Sequence, residues 1–502
     1  MTISKNKNVD LLIFAGDSYD YDTAIEKSIR TLGAHKIAHM ARKFGYTAQV
    51  IAKTQFLSLE KLIEISEQFV GPDTIIAIGA TYIAIPLEEI ISERDSYLMV
   101  YINTLRNAVN YFKEKYNNKV LIGGANAPAF EEMFNADYVI TGFAENKVVE
   151  FLNKVKNHGM YRVKENEWTI SACNHRWHKT DCIVKNEVLP LETARGCIFS
   201  CKFCAIEMLG KKSNTYARNI DLIREELVYN YEQFGTTHYV LVDDTFNDND
   251  VRNNAWCDML DTLPFKIKYS CYLRLDLLFK YQDTARRLYE TGLTGCHFGI
   301  ESFHQAASKA IGKAFSYKKA KTFLPYVYNT IFEGNVRVTT SLVIGLPGEP
   351  EESIRETLAW VNEHPYLAVW FSGLYLINNE QLTAEELAKQ GITSLSEFSK
   401  NSAKYGYRFP FKDKPYFWET DIMNFDQSLD IAAKLNKEIG HRAYPNSWTI
   451  MPYLSNTKLT VKDVVKYGDN KCKRLVMPAR FKEIETYIDK MSNLTLKDHG
   501  ID

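Results

Sequence analysis

Short apolar runs alternate with helical patterns along the first third of the chain. The runs Leu11 to Phe14, Thr74 to Ile78, Lys119 to Ile122 and Tyr138 to Ile140 are each followed within a few residues by Gly or Ala. Between the first two, the stretch from Thr31 to Gly45 repeats apolar positions at spacings of three and four and ends on Gly, the pattern of an amphipathic helix with a glycine stop. Strands that alternate with helices predict a parallel sheet covered on both faces. Residues 1–158 therefore read as a Rossmann-like, doubly wound domain.

Residues 159–190 are irregular and polar and read as a connector. A second alternating series follows, with predicted strands at Thr193 to Gly196, His238 to Val242, Lys268 to Leu273, Gly295 to Ile300, Val336 to Ile344 and Ala368 to Leu376. Predicted helices at Leu222 to Phe234, Tyr281 to Thr291 and Glu351 to Asn362 lie between them. Six strand and helix units predict a partial (β/α)6 barrel of the TIM type over 191–377, since a full eightfold barrel takes about 250 residues. Beyond 378 the strand signal stops. Amphipathic stretches such as Ala384 to Lys389 and Phe425 to Ile439 predict a mainly helical region over 378–502. The aromatic positions Tyr405, Tyr407, Phe409, Phe411, Tyr416 and Trp418 in that region serve either as core or as a cover for the barrel.

Composition narrows the function classes. The 502 residues include 61 basic and 62 acidic ones, for a net charge of −1, so no overall field recruits nucleic acid or an anionic membrane surface. No run approaches the roughly 20 apolar residues that span a bilayer, and the start of the chain lacks a signal-peptide pattern. A cytoplasmic location is the expectation.

Nine cysteines are too sparse for a disulfide scaffold. Three of them, Cys197, Cys201 and Cys204, crowd into the loop ArgGlyCysIlePheSerCysLysPheCys directly after a predicted strand. Three thiolates on one loop can ligate three irons of a cubane cluster, whereas an electron-transfer cluster takes four, so one iron stays open to bind a substrate. Zinc sites favour paired CxxC units with a fourth ligand, and no second pair exists here. The other six cysteines have no cluster spacing and read as small apolar residues or surface thiols. Cys173 and Cys182 flank His175 and His178, the weaker alternative metal site.

The loop resembles the signature of the radical S-adenosylmethionine superfamily. The resemblance implies that Cys197, Cys201 and Cys204 hold a 4Fe-4S cluster whose open iron chelates S-adenosyl-L-methionine. One electron then splits the cofactor and releases a 5′-deoxyadenosyl radical. The likeness covers residues 190 to 376 and extends beyond the loop, in which Phe203 counts as a cofactor contact. GlyLeuProGlyGlu at 345–349 resembles the family's adenine-contacting loop, which implies Gly345 and Gly348. GlyIleGluSer at 299–302 resembles the segment that meets the cofactor's polar end, which implies Glu301 and Ser302. Asp244, beside Asp243, and Arg274 end further strands, where barrel enzymes place their active-site groups. The family also implies an external electron donor such as a flavodoxin or ferredoxin.

The turns at 78–81, 122–126 and 141–146 resemble those of the cobalamin-binding domain fused ahead of the barrel in one branch of that superfamily. This implies corrinoid contacts at Gly123, Gly124 and Gly142. One departure bears on it: the loop GlyAspSerTyrAspTyrAsp after the first strand has no histidine, where corrinoid domains with a histidine cobalt ligand carry one. His35 and His39 in the next helix read as helix-surface residues. Two readings stand, cobalamin held without a lower histidine or a sheet retained as a lid.

With cobalamin, the resemblance implies a methyltransferase acting on an unknown substrate, a small molecule or another, with nucleic acid not expected. Without it, the radical would serve rearrangement, cyclisation or sulfur insertion. Methylthiotransferases of the superfamily carry three further cluster cysteines in their first domain, and residues 1–160 contain none. A non-catalytic corrinoid or cluster sensor would need neither the cysteine loop nor GlyLeuProGlyGlu.

Overall fold

Two parallel sheets organise the chain in a computed structural model. It describes residues 8–16, 29–81, 83, 93–156, 169–205, 216–313, 315–378, 382–389, 394–411, 414–443, 449, 451–454 and 457–501. The first sheet comprises β1 (Leu11–Ala15), β2 (Ala48–Ile51), β3 (Ile75–Gly79), β4 (Val120–Gly123) and β5 (Tyr138–Ile140), in the order 2-1-3-4-5. It is flanked by α1 (Leu32–Lys43), α2 (Leu59–Glu67), α3 (Glu93–Tyr116) and α4 (Glu145–Lys156). All pairings are parallel. Strands covered on both faces read as continuous apolar runs, which is why four of the five are visible in the sequence. β2 escapes that pattern because its second residue is the fully buried Gln49, whose amide donates to the Thr180 carbonyl at 3.0 Å. The strand order reverses between β1 and β3, and such a switch point opens a ligand crevice beyond the carboxyl ends of the strands.

The second sheet is the predicted partial barrel. Its strands β6 (Leu189–Leu191), β7 (His238–Leu241), β8 (Lys268–Leu273), β9 (Leu293–Glu301), β10 (Arg337–Ile344) and β11 (Ala368–Gly373) pair in chain order, all parallel. Helices α5 (Ile220–Phe234), α6 (Asp250–Asp261), α7 (Gln282–Glu290), α8 (Tyr317–Tyr326) and α9 (Glu351–Glu363) intervene. α5 starts on the Asn219 side chain, which accepts from the Asp221 amide, and stops on left-handed Gly235. The first strand lies at 189–191, not at the expected 193–196. Asp243 takes both the amide and the hydroxyl of Thr193, and Ala194 makes only an isolated bridge to Ala217, so those residues leave the ladder.

The helical carboxy-terminal region closes what six strands leave open. α10 (Phe425–Ile439) begins with a reciprocal cap between Asn424 and Gln427 and lies along the free edge of β11. There Asn436 accepts from the Phe371 amide at 3.0 Å and donates to its carbonyl at 2.8 Å, covering groups that an edge strand would otherwise expose. α11 (Met451–Leu454) packs with Val188 and Val240 on the inner side of the barrel. α12 (Asp469–Ser492) returns to the first sheet, where Tyr487 and Met491 join its core and the Tyr487 hydroxyl accepts from the Ala52 amide at 2.8 Å. Among the described residues no helix is long and apolar enough to cross a membrane.

A buried charge cluster ties these parts together. Glu187 of the connector accepts from Arg30 at 2.8 and 2.9 Å and pairs with Lys53 at 3.0 Å, and Lys53 also pairs with Glu483 of α12. Removing one partner of such a cluster leaves its mates charged and dry. Glu187→Gln is expected to cost about 3–5 kcal/mol, read as a lowered midpoint in thermal unfolding together with faster proteolysis. An unchanged midpoint would show that the cluster does not hold the sheets.

Candidate active site

The cysteine loop hangs from the carboxyl end of β6 and is fixed at several points. Gly196 adopts φ +80°, a left-handed turn that aims the following segment outward. The Lys202 amide donates to the Ile311 carbonyl at 3.0 Å, and the Phe398 amide donates to the Lys202 carbonyl at 2.9 Å. Cys197, Cys201 and Cys204 are all partly exposed, while the other six cysteines are buried. Cys197 Sγ lies 3.3 Å from the Thr245 hydroxyl just after β7.

Arg274, at the end of β8, stacks on Phe199 with its guanidinium 3.8 Å from the ring centre, and its Nη1 lies 3.7 Å from Cys201 Sγ. Asp276 holds the fork at 3.0 and 2.8 Å, and Asn247 exchanges two hydrogen bonds with the Arg274 backbone. Burial opposes the guanidinium charge, but Asp276 overrides it and holds its pKa above the ordinary value. A fixed cation thus stands beside a ligand that must be anionic to bind metal. Among the described residues no three His, Cys, Asp or Glu side chains converge on a single metal ion. A cubane asks for less convergence, because each thiolate takes its own iron, and the donor set fits such a cluster.

A second group lines the ends of β9 and β10. Glu301 sits at φ +69°, a conformation that costs a non-glycine residue free energy and concentrates at functional sites. It pairs with Lys313 at 2.8 Å and accepts from the Ser341 hydroxyl at 3.4 Å, and that hydroxyl lies 3.2 Å from His297 Nε2. Ser302 donates to Glu349 at 2.7 Å and so joins the two segments GlyIleGluSer and GlyLeuProGlyGlu. The second segment is packed from behind. Tyr407 donates to the Gly345 carbonyl at 2.8 Å, and the Trp418 ring fills the place a side chain at Gly345 would need. Tyr407 and Trp418 are therefore core residues that shape this loop.

The predicted positions divide accordingly. Arg274 touches the cysteine loop, Glu301 and Ser302 gather beside it, and Gly345 and Gly348 form left-handed turns at φ +99° and +71°. Phe203 packs against the barrel core with Lys313 Nζ 6.0 Å from its ring. Asp244 is exposed at the mouth, whereas its neighbour Asp243 is the buried root of the loop. In the first sheet Gly123 continues β4, and Gly124 at φ +120° lets its backbone meet Thr81 with no room for a side chain. Gly142 makes the turn after β5. His35 departs from its helix-surface reading, because it is fully buried against Trp177 and Asp181 of the connector.

Residues that the sequence reading passed over bring the two sheets together. Arg195, two positions before Cys197, pairs with Glu192 and with Glu145 at 2.7 Å each and covers Phe143, its guanidinium 4.5 Å from that ring. Lys36 of α1 also pairs with Glu192. Burial pushes the Glu192 carboxyl up, but Lys36 and Arg195 pull it down to about 2. The turn holding Gly142 therefore faces the cysteine loop. Lys313 lies in a loop without any motif, and only the folded chain reveals its pairing. Arg195 and Glu349, by contrast, stood within the quoted motifs.

Comparison with known proteins agrees with this geometry. Residues 191–361 match the Radical SAM superfamily. This segment is a radical SAM domain. An uncharacterized methyltransferase of Pyrococcus horikoshii is 24% identical over 172 residues, 34% of this chain and 36% of its own length. The ribosomal protein uS12 methylthiotransferase RimO of Dictyoglomus thermophilum is 21% identical over 273 residues, 51% of this chain and 60% of its own. The chain thus spans between a third and three fifths of these curated relatives. The radical SAM methyltransferase TsrM of Kitasatospora setae, solved with cobalamin and a [4Fe-4S] cluster, superposes with a TM-score of 0.61 at 11% identity, covering 95% of this chain and 100% of that one. The radical SAM domain therefore sits in an architecture shared, at the level of fold, with a structure that also has a sheet domain ahead of it.

Glu349 gives the site a pH signature. It is 4% exposed, and burial raises its pKa to about 7 despite the Ser302 hydrogen bond. A raised carboxyl favours the folded state below the unfolded pKa near 4.5, and that contribution is lost as pH rises to 7. Glu349→Gln removes the titration, so the variant should gain up to roughly 3 kcal/mol on the parent between pH 5 and 8. Thermal midpoints across that range test this, and a difference that does not change with pH would refute it.

Proposed function

We propose that the chain is a cobalamin-dependent radical S-adenosylmethionine methyltransferase. The observation that carries this reading is the placement of the three-cysteine loop. It stands at the carboxyl ends of the barrel strands, and Arg195 ties it to the turn after β5 at the carboxyl end of the first sheet. When bound, a 4Fe-4S cluster supplies the electron that cleaves S-adenosyl-L-methionine, and cobalamin supplies a methyl group.

The chain's own residues do the rest. Cys197, Cys201 and Cys204 present three thiolates, and Arg274 offsets their negative charge at Cys201. Glu301, Ser302 and Lys313 offer an acceptor, a hydroxyl and a cation for the amino-acid end of S-adenosyl-L-methionine. Gly345 and Gly348 shape a backbone turn flat enough for its adenine. Gly124 and Gly142, in left-handed turns at φ +120° and +72° after β4 and β5, let the backbone approach the corrinoid. The family match of the barrel and the methyltransferase among the relatives support the reading, as does the likeness in fold to a structure with cobalamin bound. The methylthiotransferase reading is disfavoured by the absence of cysteine from residues 1–160.

The test is anaerobic reconstitution of the full chain with iron, sulfide and hydroxocobalamin, followed by S-adenosyl-L-methionine and dithionite. About four irons per chain, retained corrinoid absorbance and release of 5′-deoxyadenosine are expected. Cys201→Ala should lose the iron and the nucleoside while keeping the corrinoid. A cluster and nucleoside without corrinoid would defeat methyl transfer through cobalt. No cluster would defeat the proposal altogether.

A further inference from the structure

The Cys201 sulfur lies beside a fixed positive charge. Arg274 Nη1 stands 3.7 Å from Cys201 Sγ, within hydrogen-bonding range of a sulfur acceptor, whereas Cys197 Sγ lies 3.3 Å from the neutral Thr245 hydroxyl. Arg274 ends β8 and Cys201 belongs to the loop after β6, so the contact joins segments that are far apart in the chain.

The guanidinium cannot swing away from that sulfur without breaking other contacts. Asp276 takes its Nε and Nη2 at 3.0 and 2.8 Å, which leaves Nη1 for Cys201. Phe199, between the first two clustered cysteines, stacks on the fork with its ring centre 3.8 Å from the guanidinium carbon. Asn247 fixes the backbone from the loop after β7, donating to the Arg274 carbonyl at 2.9 Å and accepting from its amide at 2.7 Å. The Arg274 side chain is 13% exposed, so water screens its charge only weakly. Asp276 grips the nitrogens other than the one that meets the sulfur, and the positive end of the pair therefore faces Cys201.

Reduction adds one negative charge to a cluster whose thiolate shell is already anionic. Hydrogen bonds to the sulfurs and nearby charge are among the levers by which a protein sets the potential of such a centre. We propose that Arg274 raises the reduction potential of the cluster held by Cys197, Cys201 and Cys204, acting through its N–H contact with Cys201. The assignment rests on the cluster reading above and adds the residue that tunes the centre. The electron comes from a low-potential one-electron donor, no covalent bond forms or breaks, and the guanidinium stabilises the charge gained. Asp276, Phe199 and Asn247 act through Arg274 as positioning residues.

The test is a dithionite titration of the full-length protein, reconstituted without oxygen and kept free of S-adenosyl-L-methionine, with the reduced cluster followed by electron paramagnetic resonance. Arg274→Gln should make the one-electron reduction about ten-fold less favourable, a midpoint lower by about 59 mV. Arg274→Lys keeps the charge but loses the fork that Asp276 holds, so its midpoint should fall between the other two. The gap between parent and Arg274→Gln should be the same from about pH 6.5 to about pH 8.5, because a guanidinium stays charged throughout. Equal midpoints at equal iron content, or a gap that closes within that pH range, would overturn the assignment. If Arg274→Gln takes up no cluster, Arg274→Lys decides alone, and a midpoint equal to the parent's would overturn it. A cluster whose potential ignores Arg274 defeats this assignment and leaves the radical reading standing, whereas a parent protein without a cluster defeats both.

Discussion

Arg195 is the residue on which the arrangement of this molecule turns. It precedes the first clustered cysteine by two positions, and its guanidinium reaches Glu192 on its own loop and Glu145 at the start of α4. Both partners are nearly dry, and a dry ion pair is a constraint of position more than a source of stability, because desolvation consumes most of the Coulomb attraction. A displacement of the first sheet would take Glu145 from Arg195 and Lys36 from Glu192. The sheets are thus registered to one another at the place where their ligand-binding edges meet. The second cluster, around Glu187, Arg30 and Lys53, fixes the far side of the same interface.

Much of this architecture was legible in the sequence because parallel strands covered on both faces must be continuously apolar. β1, β3, β4 and most of β11 announce themselves in that way. β2 does not, since Gln49 interrupts a four-residue run and is satisfied by the Val50 carbonyl and by the Thr180 carbonyl 131 positions away. The start of the barrel was misplaced for a similar reason: Thr193 and Ala194 suit a strand locally, but Asp243 claims the backbone that a ladder would use. At the site, spacing exposed the cysteines, the carboxyl-end rule exposed Arg274, and the resemblance of GlyIleGluSer to a family segment exposed Glu301. Lys313 meets Glu301 only through the packing of its loop against the end of β9, which no local pattern encodes.

Six strands are too few to close a barrel, and the carboxy-terminal region answers both consequences. The free edge of β11 would present unpaired amides and carbonyls, and Asn436 supplies a side-chain amide that mimics the missing strand at Phe371. The gap on the inner side would flood the lumen, and α11 fills it from below. The same region then reaches the first sheet through α12, so one segment seals the barrel and fixes its companion. Trp418 and Tyr407 extend this logic to the site itself, since they pack directly on the Gly345 loop.

Charge around the cysteine loop follows from what a ligand shell of three thiolates would demand. Such a shell is strongly anionic, and placing it in a partly enclosed mouth is costly unless cations are fixed nearby. The fold provides them from separate elements: Arg274 from β8, Lys313 from the loop after Ala310, Arg195 from the loop itself, and Lys202 beside Cys201 over the Tyr405 ring. Three of the four are anchored by carboxylates, Arg274 by Asp276, Lys313 by Glu301 and Arg195 by Glu145 and Glu192. Anchoring matters because an unanchored lysine or arginine would give up its rotamer freedom each time it met the anion. With the positions already set, that entropy is lost on folding and not on binding. A site organised in this way is pre-arranged for a negatively charged centre before any ligand arrives, and it is the folded chain that bears the cost.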